Sequence, residues 1–369
     1  MSFIEIIDKY KDFDFDNYFS NVTDDDVRRS IHKTRLDEED LLNLISPKAE
    51  EHLEEMARKA NELTNRYFGK AVLLYTPMYI ANMCINRCAY CSYNHDNDIN
   101  RKKLTLKEIE EECKAISKEG FNHIIILTGE SPKDTPVSYI VEAVKVVKKY
   151  FSSITIEIYP LDEEEYKEVI DAGVDCLTVY QETYNRDIYK KVHLGGPKRD
   201  YNFRLDAPER GAKMGMRSVN IGALLGLDDF RKELFYTALH GKYIQDNYGD
   251  VDVAFSTPRI RPHAGVFEDV FEVSDKNLVQ CIVALRIFHP NCTINVSTRE
   301  RAGFREKLLP LGVNKISAGV STEVGGHSLR KEDAGEEQFE ISDGRSTEEI
   351  KKMLKENGYQ PVFKDWERI

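Results

Sequence analysis

The sequence lacks a long apolar segment. No run of apolar residues approaches the ~18 that indicate a membrane-spanning helix. The N-terminal stretch MSFIEIIDKYKDFDFDNYF mixes acidic, basic and aromatic residues, so it has neither the basic start nor the continuous apolar core of a secretory signal. These absences predict a cytoplasmic protein that does not bind membranes.

Positive charge is scarce relative to negative charge. Lys and Arg number 52 against 64 Asp and Glu, which gives a net charge of −12. Because an acidic surface repels nucleic-acid backbones and anionic lipid headgroups, the composition argues against a nucleic-acid-binding protein.

Paired cysteines are also missing. The chain has seven Cys, an odd number, and no secretory signal, so disulfides are not expected. Four of the seven are scattered singly and are predicted to be small buried hydrophobic residues: Cys113, Cys176, Cys281 and Cys292. The other three lie close together and need a separate explanation.

Cys84, Cys88 and Cys91 lie in CINRCAYC, with three and then two residues between them. Three thiolates at this spacing can hold three irons of a cubane cluster and leave the fourth iron open to a ligand. Structural zinc normally takes four protein ligands, and the nearby His95 is expected to be a solvated loop residue rather than a fourth ligand. The motif therefore predicts an iron–sulfur cluster, and a non-catalytic metal scaffold is the alternative of a different class.

The chain falls into three predicted segments. Residues 1–70 have a helical, polar pattern, and residues 320–369 form an extension with one short helix that begins after Ser346 and ends at Gly358. Between them, 71–319 alternates short apolar runs with charged helical stretches. The apolar runs predict eight strands: 72–82, 123–128, 154–159, 176–181, 218–226, 251–261, 293–299 and 314–319. Eight such repeats over about 250 residues favour a parallel (β/α)8 TIM-type barrel over an open doubly wound sheet.

Several predicted strands begin apolar and end polar. One runs into Thr128-Gly129-Glu130, another into Gln181-Glu182, and later strands run into Arg259 with Arg261 and into Arg299. In a parallel barrel the carboxyl ends of all strands meet at one mouth, where active sites of this architecture lie. We therefore expect these polar residues to converge on a single site.

The cysteine motif, with the aromatic residue Tyr90 before its last Cys, resembles that of the radical S-adenosylmethionine superfamily. Thr128-Gly129-Glu130 resembles the superfamily segment that binds the amino group of the methionine moiety, with Thr in place of the first Gly. The strand from Gly222 through Leu224 to Gly226 resembles the segment that packs near adenine, and Tyr90 resembles the aromatic residue beside that ring. This resemblance implies a 4Fe–4S cluster and S-adenosylmethionine as cofactors.

Within that superfamily the chain resembles the aromatic amino acid lyases, in particular the tyrosine lyases that make 2-iminoacetate for bacterial thiamine biosynthesis. The segments that carry this resemblance are CINRCAYC, ILTGESP, VYQETYN, GALLGL, PRIRP, STRE, SAGVSTEVGGH and QPVFKDWE (360–367). The resemblance implies cleavage of the Cα–Cβ bond of L-tyrosine, after hydrogen removal from its amino group, to give 2-iminoacetate and p-cresol. It also implies a reductant such as flavodoxin or ferredoxin and a thiazole synthase partner.

Such a reaction assigns roles to residues at the strand ends. A forked cation suits the substrate carboxylate, so Arg299 is the first choice, with Ser317 beside it and Arg259 and Arg261 extending the site. Glu182 is expected to meet the ribose or an amino group.

The cofactor carboxylate and the phenol are less sharply assigned. Arg204 or Arg210 is expected to hold the cofactor's carboxylate. A base for the phenol stays open between His263, Tyr184 and Glu157.

Two neighbouring activities remain as alternatives. The tyrosine lyases of hydrogenase maturation make carbon monoxide and cyanide, and SAGVSTEVGGH resembles them somewhat. They carry a second cysteine cluster in a C-terminal extension, whereas the last Cys in this sequence is Cys292. This difference favours release of 2-iminoacetate. A tryptophan lyase would differ in residues of the ring pocket that the sequence does not locate.

Overall fold

A computed structural model describes residues 2–265 and 267–365. The N-terminal segment is helical, as predicted, and several of its helices start at capping boxes, among them Thr23 with Asp26 and Asp37 with Asp40. The helices are α1 (Phe3–Lys9), α2 (Phe15–Asn21), α3 (Asp24–His32), α4 (Glu38–Ile45) and α5 (Leu53–Phe68), with a 3-10 turn at Lys48–His52. In α5 the buried face contains Met56, Ala60 and Leu63, and it packs on a helix of the barrel.

The central segment forms a sheet in which every pair of neighbouring strands is parallel. Its strands are β1 (Ala71–Tyr75), β2 (Pro77–Ala81), β3 (His123–Thr128), β4 (Ser153–Glu157), β5 (Cys176–Thr178), β6 (Ser218–Gly222), β7 (Asp252–Ser256), β8 (Thr293–Val296) and β9 (Lys315–Ser317). The sheet order follows the chain from β2 to β9 and then returns to β1. The parallel barrel is confirmed, and the open-sheet alternative is wrong.

The barrel closes through its first strand. The single strand predicted at 72–82 is two strands, because the ladder breaks at Thr76 and Pro77, and proline has no N–H to donate. The first half, β1, pairs with β9, and the second half, β2, pairs with β3. The bent segment that contains β1 and β2 therefore joins β9 to β3 and closes the barrel. Counted as one strand position, it gives the barrel eight positions in all.

Helices alternate with the strands and cover the barrel. They are α6 (Leu106–Lys118), α7 (Val137–Val147), α8 (Glu163–Ala172), α9 (Arg186–Val192), α10 (Tyr201–Leu205), α11 (Ala207–Lys213), α12 (Phe230–Asn247), α13 (Asp275–Phe288) and α14 (Phe304–Leu308). Short 3-10 turns lie at Pro197–Arg199 and Leu309–Leu311. The four scattered cysteines are buried and free, as predicted. None of the described helices combines the length and apolar character that crossing a membrane requires.

The C-terminal segment crosses the barrel mouth and then returns to its opposite end. The predicted helix is α15 (Thr347–Glu356), capped by Ser346 and Glu349. It leads into β10 (Gln360–Val362), which pairs with β1 and was not predicted, because three residues are too few to show a strand pattern. Trp366, part of the motif at 360–367, lies outside the described residues. The three-segment division of the chain stays a prediction, because one buried core runs through the N-terminal helices and the barrel.

Candidate active site

The loop that carries the three cysteines follows β2 and is held by backbone hydrogen bonds to its neighbours. Ile85 N donates to Glu130 O at 2.9 Å, and Ala89 N donates to Val192 O at 2.9 Å. A side chain at Gly129 would place its Cβ 2.3 Å from the carbonyl oxygen of Met83, so only glycine lets the loop approach the end of β3.

The three thiols suit a cluster better than a single ion. Among the residues described, no group of three or more His, Cys, Asp and Glu side chains could hold one metal ion, whereas a cubane takes each thiolate on a different iron. Burial raises the pKa of Cys88 to about 12 and that of Cys91 to about 11, so cluster binding must displace thiol protons. Thr128 Oγ1, buried beside this loop, has no hydrogen-bond partner among the described residues. The donor set therefore fits a cluster with one open iron and a polar ligand next to it.

A charged group lies beside the cysteine loop. Glu182, whose φ of 71° puts it in the left-handed region, accepts from Lys198 Nζ at 2.7 Å and from Arg204 at 3.2 Å. Burial alone would raise the pKa of Glu182, but Lys198 and Arg204 hold it below its usual value. The two cations and one carboxylate leave net positive charge, which suits the carboxylate of a bound amino acid moiety.

An apolar surface adjoins this charged group. Leu224 clusters with Val192 and Leu227, and the ring of Tyr90 packs against them. Tyr90 OH bonds to His193 Nε2 at 2.7 Å, and Gly222 lies so close to β7 that a Cβ would be 2.2 Å from Ser256 O. A flat apolar surface with a fixed aromatic ring suits adenine.

Two of the expected cofactor residues take different positions. Glu130 accepts from Asn86 Nδ2 at 2.5 Å at the end of β3, next to the cysteine loop. Arg210, in contrast, donates to Leu161 O and Phe203 O and stacks on the Phe203 ring. Arg204 lies in the charged group with Glu182, whereas Arg210 lies apart from it, and which of the two holds the cofactor's carboxylate stays a prediction.

The barrel encloses a cavity of about 180 Å³ that includes Arg299 and Ser317 in its lining. The Arg299 guanidinium lies 3.5 Å from the centroid of the Phe339 ring and donates to Arg259 O at 3.4 Å. It forms no ion pair within residues 2–265 and 267–365, and burial lowers its pKa. A half-buried cation without an ion pair at the wall of a cavity suits an anionic ligand.

Arg259 and Arg261 both lie close to Glu300. Arg259 forms a two-pronged ion pair with Glu300, with Nε 2.9 Å from Oε1, and also binds Asp275. Arg261 lies 3.3 Å from the same Glu300 carboxylate. Because Glu300 and Asp275 occupy the guanidinium of Arg259, this arginine holds the loop after β8. Arg261 makes a single contact to Glu300, and its Nε has no hydrogen-bond partner among the described residues.

The three candidates for the phenol base lie in different parts of the structure. Tyr184 OH bonds to His240 at 3.0 Å beneath the N-terminal helices, and His263 Nε2 bonds to Ala89 O at 3.2 Å beside the cysteine loop. Glu157, the last residue of β4, lines the cavity. Its carboxylate has no hydrogen bond or ion pair in the part of the chain that the structure describes. Burial, and then the charge of Glu182, raises the pKa of Glu157 to about 7.

Several residues of the cavity were missed by the sequence analysis. Phe339 and Gln338 come from the C-terminal segment, and Tyr79 OH donates to Gln338 Oε1 at 2.9 Å. Lys198 follows a Gly-Gly-Pro turn with no motif of its own. These side chains meet the site through contacts over long sequence separations, for which the residue pattern holds no signal.

Comparison with known proteins identifies the family. Residues 78–238 match the model of the Radical SAM superfamily, and residues 256–360 match the Biotin and Thiamin Synthesis associated domain. The chain is 37% identical to the 2-iminoacetate synthase of Salmonella typhimurium, over 98% of this chain and 96% of that protein. The chain belongs to the 2-iminoacetate synthase family of radical S-adenosylmethionine enzymes.

Further relatives agree with this family. The 2-iminoacetate synthase of Escherichia coli is 35% identical, over 98% of this chain and 96% of that protein. The structure of the FeFe-hydrogenase maturase HydG from Carboxydothermus hydrogenoformans superposes with a TM-score of 0.86 at 30% identity, covering 98% of this chain and 82% of that chain. Membership in the radical S-adenosylmethionine superfamily shows that the enzyme uses a 4Fe–4S cluster and S-adenosylmethionine.

Proposed function

We propose that this enzyme cleaves the Cα–Cβ bond of L-tyrosine to give 2-iminoacetate and p-cresol. Identity to two 2-iminoacetate synthases over nearly their whole length supports the activity. The observation that carries the substrate assignment is the Arg299 guanidinium, which is half-buried, lines the barrel cavity and has no carboxylate partner among the described residues.

Cys84, Cys88 and Cys91 would hold the cluster, which together with S-adenosylmethionine would supply a primary carbon radical. The protein binds the cofactors and the substrate, orients them and shields the radical from water. Tyr90 and Leu224 provide the surface for adenine, Gly129 and Glu130 the end of β3 for the methionine amino group, and Lys198 with Arg204 the positive charge for its carboxylate.

The substrate carboxylate binds at Arg299, with Ser317 beside it at the end of β9. The guanidinium donates two parallel hydrogen bonds to a carboxylate, which fixes the rotation of the amino acid as well as its position. Its stacking on Phe339 holds the plane of the fork. The amino nitrogen is thereby kept in one place relative to the radical.

Glu157 is suited to bind the substrate's ammonium group and take its proton. β4 lies four strand positions from β8 in the eight-position barrel, which is the opposite side. Glu157 therefore faces the loop that carries Arg299 across the cavity. An α-amino acid between the two presents its carboxylate to the cation and its ammonium to the carboxylate. With a pKa of about 7, Glu157 can accept the ammonium proton near neutral pH.

Release of 2-iminoacetate, rather than its conversion to carbon monoxide, is part of this proposal. It is supported by the 37% identity to the Salmonella 2-iminoacetate synthase over 96% of that protein. A flavodoxin or ferredoxin as reductant, a thiazole synthase as the recipient and a cytoplasmic location belong to the same proposal.

An anaerobic assay tests the activity. Enzyme reconstituted with iron and sulfide is mixed with dithionite, S-adenosylmethionine and L-tyrosine, and p-cresol, 5′-deoxyadenosine and glyoxylate from hydrolysed 2-iminoacetate are quantified. We expect all three, with no carbon monoxide trapped by haemoglobin. Absence of p-cresol despite 5′-deoxyadenosine formation would contradict the substrate assignment, and carbon monoxide would contradict the product assignment.

A further inference from the structure

The cavity has a polar group below Arg299, on three neighbouring strands. Asn220 lies on β6, Ser256 on β7 and Asn295 on β8, and all three line the cavity. Asn220 Nδ2 donates to Ser256 Oγ at 3.1 Å, and Asn295 Nδ2 approaches the same oxygen at 3.4 Å. We call these three residues the amide cluster.

The amide cluster is incompletely satisfied. Asn295 is 7% exposed, and its Oδ1 has no hydrogen-bond partner among the described residues. The further contacts of Asn220 Nδ2, to Thr178 Oγ1 and to Tyr180 OH, are both long at 3.4 Å. Since buried amides normally find partners, an unpaired acceptor that lines a cavity, next to loosely engaged donors, indicates a site for a ligand that donates and accepts.

The amide cluster lies deeper in the barrel than the loop that carries Arg299. Asn295, on β8, precedes Arg299 by four residues, so the two backbone positions are at most ~14 Å apart along the chain. This upper limit is of the same order as the length of an extended tyrosine between its carboxylate and its hydroxyl.

We propose that the amide cluster, together with Tyr180 OH, is the subsite that recognises the phenol hydroxyl of the substrate. Asn295 Oδ1 accepts the phenol O–H, and Asn220 Nδ2 donates to the phenol oxygen. The inference rests on the proposed tyrosine lyase activity and adds the residues that select the hydroxyl. The substrate binds as a neutral phenol, because both amides are uncharged and one of them needs the phenol proton.

This arrangement makes the hydroxyl a condition of binding. A site built to hydrogen-bond an OH group strongly rejects the analogue that lacks it, because its own buried polar groups are then left unpaired. L-Phenylalanine should therefore compete poorly with L-tyrosine, and the reason should lie in the amide cluster.

The experiment compares the reconstituted full-length enzyme with Asn295→Leu, which replaces the amide by an apolar group of similar size. The KM for L-tyrosine in p-cresol formation and the inhibition constant of L-phenylalanine are measured for both. In the variant we expect tyrosine kcat/KM to fall roughly 10- to 30-fold, as for loss of one buried hydrogen bond. The ratio of the phenylalanine inhibition constant to the tyrosine KM should fall at least tenfold, because phenylalanine binding improves.

Two controls accompany this variant. Asn65→Ala removes an exposed amide of α5, and it should change neither constant. Ser256→Ala is a milder change within the amide cluster and should shift the ratio in the same direction as Asn295→Leu. Stronger phenylalanine binding cannot result from misfolding, so the ratio remains informative even if less enzyme folds.

Two results would overturn the inference in distinguishable ways. If tyrosine and phenylalanine constants rise together in Asn295→Leu and the ratio stays as in the wild type, the hydroxyl is recognised elsewhere and only the subsite is wrong. If the wild-type enzyme forms no p-cresol, the proposed function fails, and the subsite fails with it.

Discussion

On the cofactor side of the barrel mouth the carboxylates are paired with neighbouring side chains, whereas on the substrate side one cation and one carboxylate are not. Glu182 is bound by Lys198 and Arg204, and Glu130 by Asn86. Across the cavity, Arg299 and Glu157 have no ion-pair partner among the residues described. Paired groups hold a backbone shape by themselves, and unpaired buried groups raise the energy of the protein until a ligand of complementary charge binds.

Residue type does not decide whether a charged group is paired, because the chain also contains a buried arginine that forms an ion pair. Arg305 is 1% exposed, like the Asp343 that it meets at 2.6 Å, and it donates to Ser317 O behind the substrate site. Arg305 is therefore a structural residue, whereas we propose a ligand-binding role for the same side chain at Arg299. The predictions below test this contrast, from the largest expected effect to the smallest.

The cysteine loop should show the largest effect. Cys88→Ala removes one of the three thiolates, so we expect loss of the cluster and of all 5′-deoxyadenosine formation. Iron content and the broad absorbance near ~400 nm of an iron–sulfur cluster measure the first, and chromatography the second. Cys281→Ala, at a buried thiol of α13, is the matched control and should keep both. A fully active Cys88→Ala enzyme would remove the basis of the cofactor side.

Arg299 should separate the two sides of the cavity. In Arg299→Ala, the kcat/KM for L-tyrosine in p-cresol formation should fall roughly 30- to 5,000-fold. This is the effect of losing a charge-assisted pair worth about 2–5 kcal/mol. Cluster content and tyrosine-independent cleavage of S-adenosylmethionine should persist. Arg299→Lys keeps the charge but not the fork, so it should also be impaired.

The matched change on a paired arginine gives the contrasting result. Arg305→Ala removes a fully buried partner of Asp343, which keeps only Arg345, and it also removes the bond to Ser317 O. It should therefore lower stability and cluster content as well as p-cresol formation. If Arg299→Ala behaves in that way too, Arg299 is structural and the substrate site lies elsewhere.

Glu157 should reveal its unpaired state through pH. Its pKa rises from 4.5 to about 7 on folding, so the folded protein favours the protonated form. Wild-type stability should therefore fall as pH rises from about 4.5 to 7 and remain reduced above that. Glu157→Gln removes this cost, and the variant should be more stable than wild type at pH 8 by roughly 1–3 kcal/mol, with little difference at pH 5.

Denaturant unfolding of the protein without cofactors at the two pH values measures this. Equal stability of the wild type and the variant at pH 8 would show that Glu157 has a partner in solution. L-Tyrosine added to the reconstituted enzyme should in turn protect the wild type more than Glu157→Gln.

The smallest effect compares the two arginines that the sequence left as alternatives. Arg204→Lys keeps a charge near Glu182 but loses the fork that also binds Tyr180 O, so the KM for S-adenosylmethionine should rise about tenfold. Arg210→Lys alters contacts to Leu161 O and Phe203 O, and the KM should stay within about twofold. The reverse order would place the cofactor carboxylate at Arg210.

Local patterns were enough for the fold and for the cofactor loop. Predicted strands of six to eleven residues, separated by amphipathic helices, indicated the parallel barrel, and the spacing of Cys84, Cys88 and Cys91 predicted one cluster. These features succeed because each depends on residues that are neighbours in the chain. The break of the first strand at Pro77 shows the limit, since the pattern of 72–82 is continuous while its two halves pair with different strands.

Which arginine is free was decided by the tertiary structure. The sequence places Arg259, Arg261 and Arg299 at strand ends alike, and it offers Glu300 as a partner for any of them. The fold brings Glu300 to Arg259 and Arg261 and turns Arg299 into the cavity against Phe339, some 40 residues further along the chain. The same holds for Glu157 and the amide cluster. Whether a buried polar group has a partner depends on the residues that surround it in space, and those residues come from strands far apart in the chain.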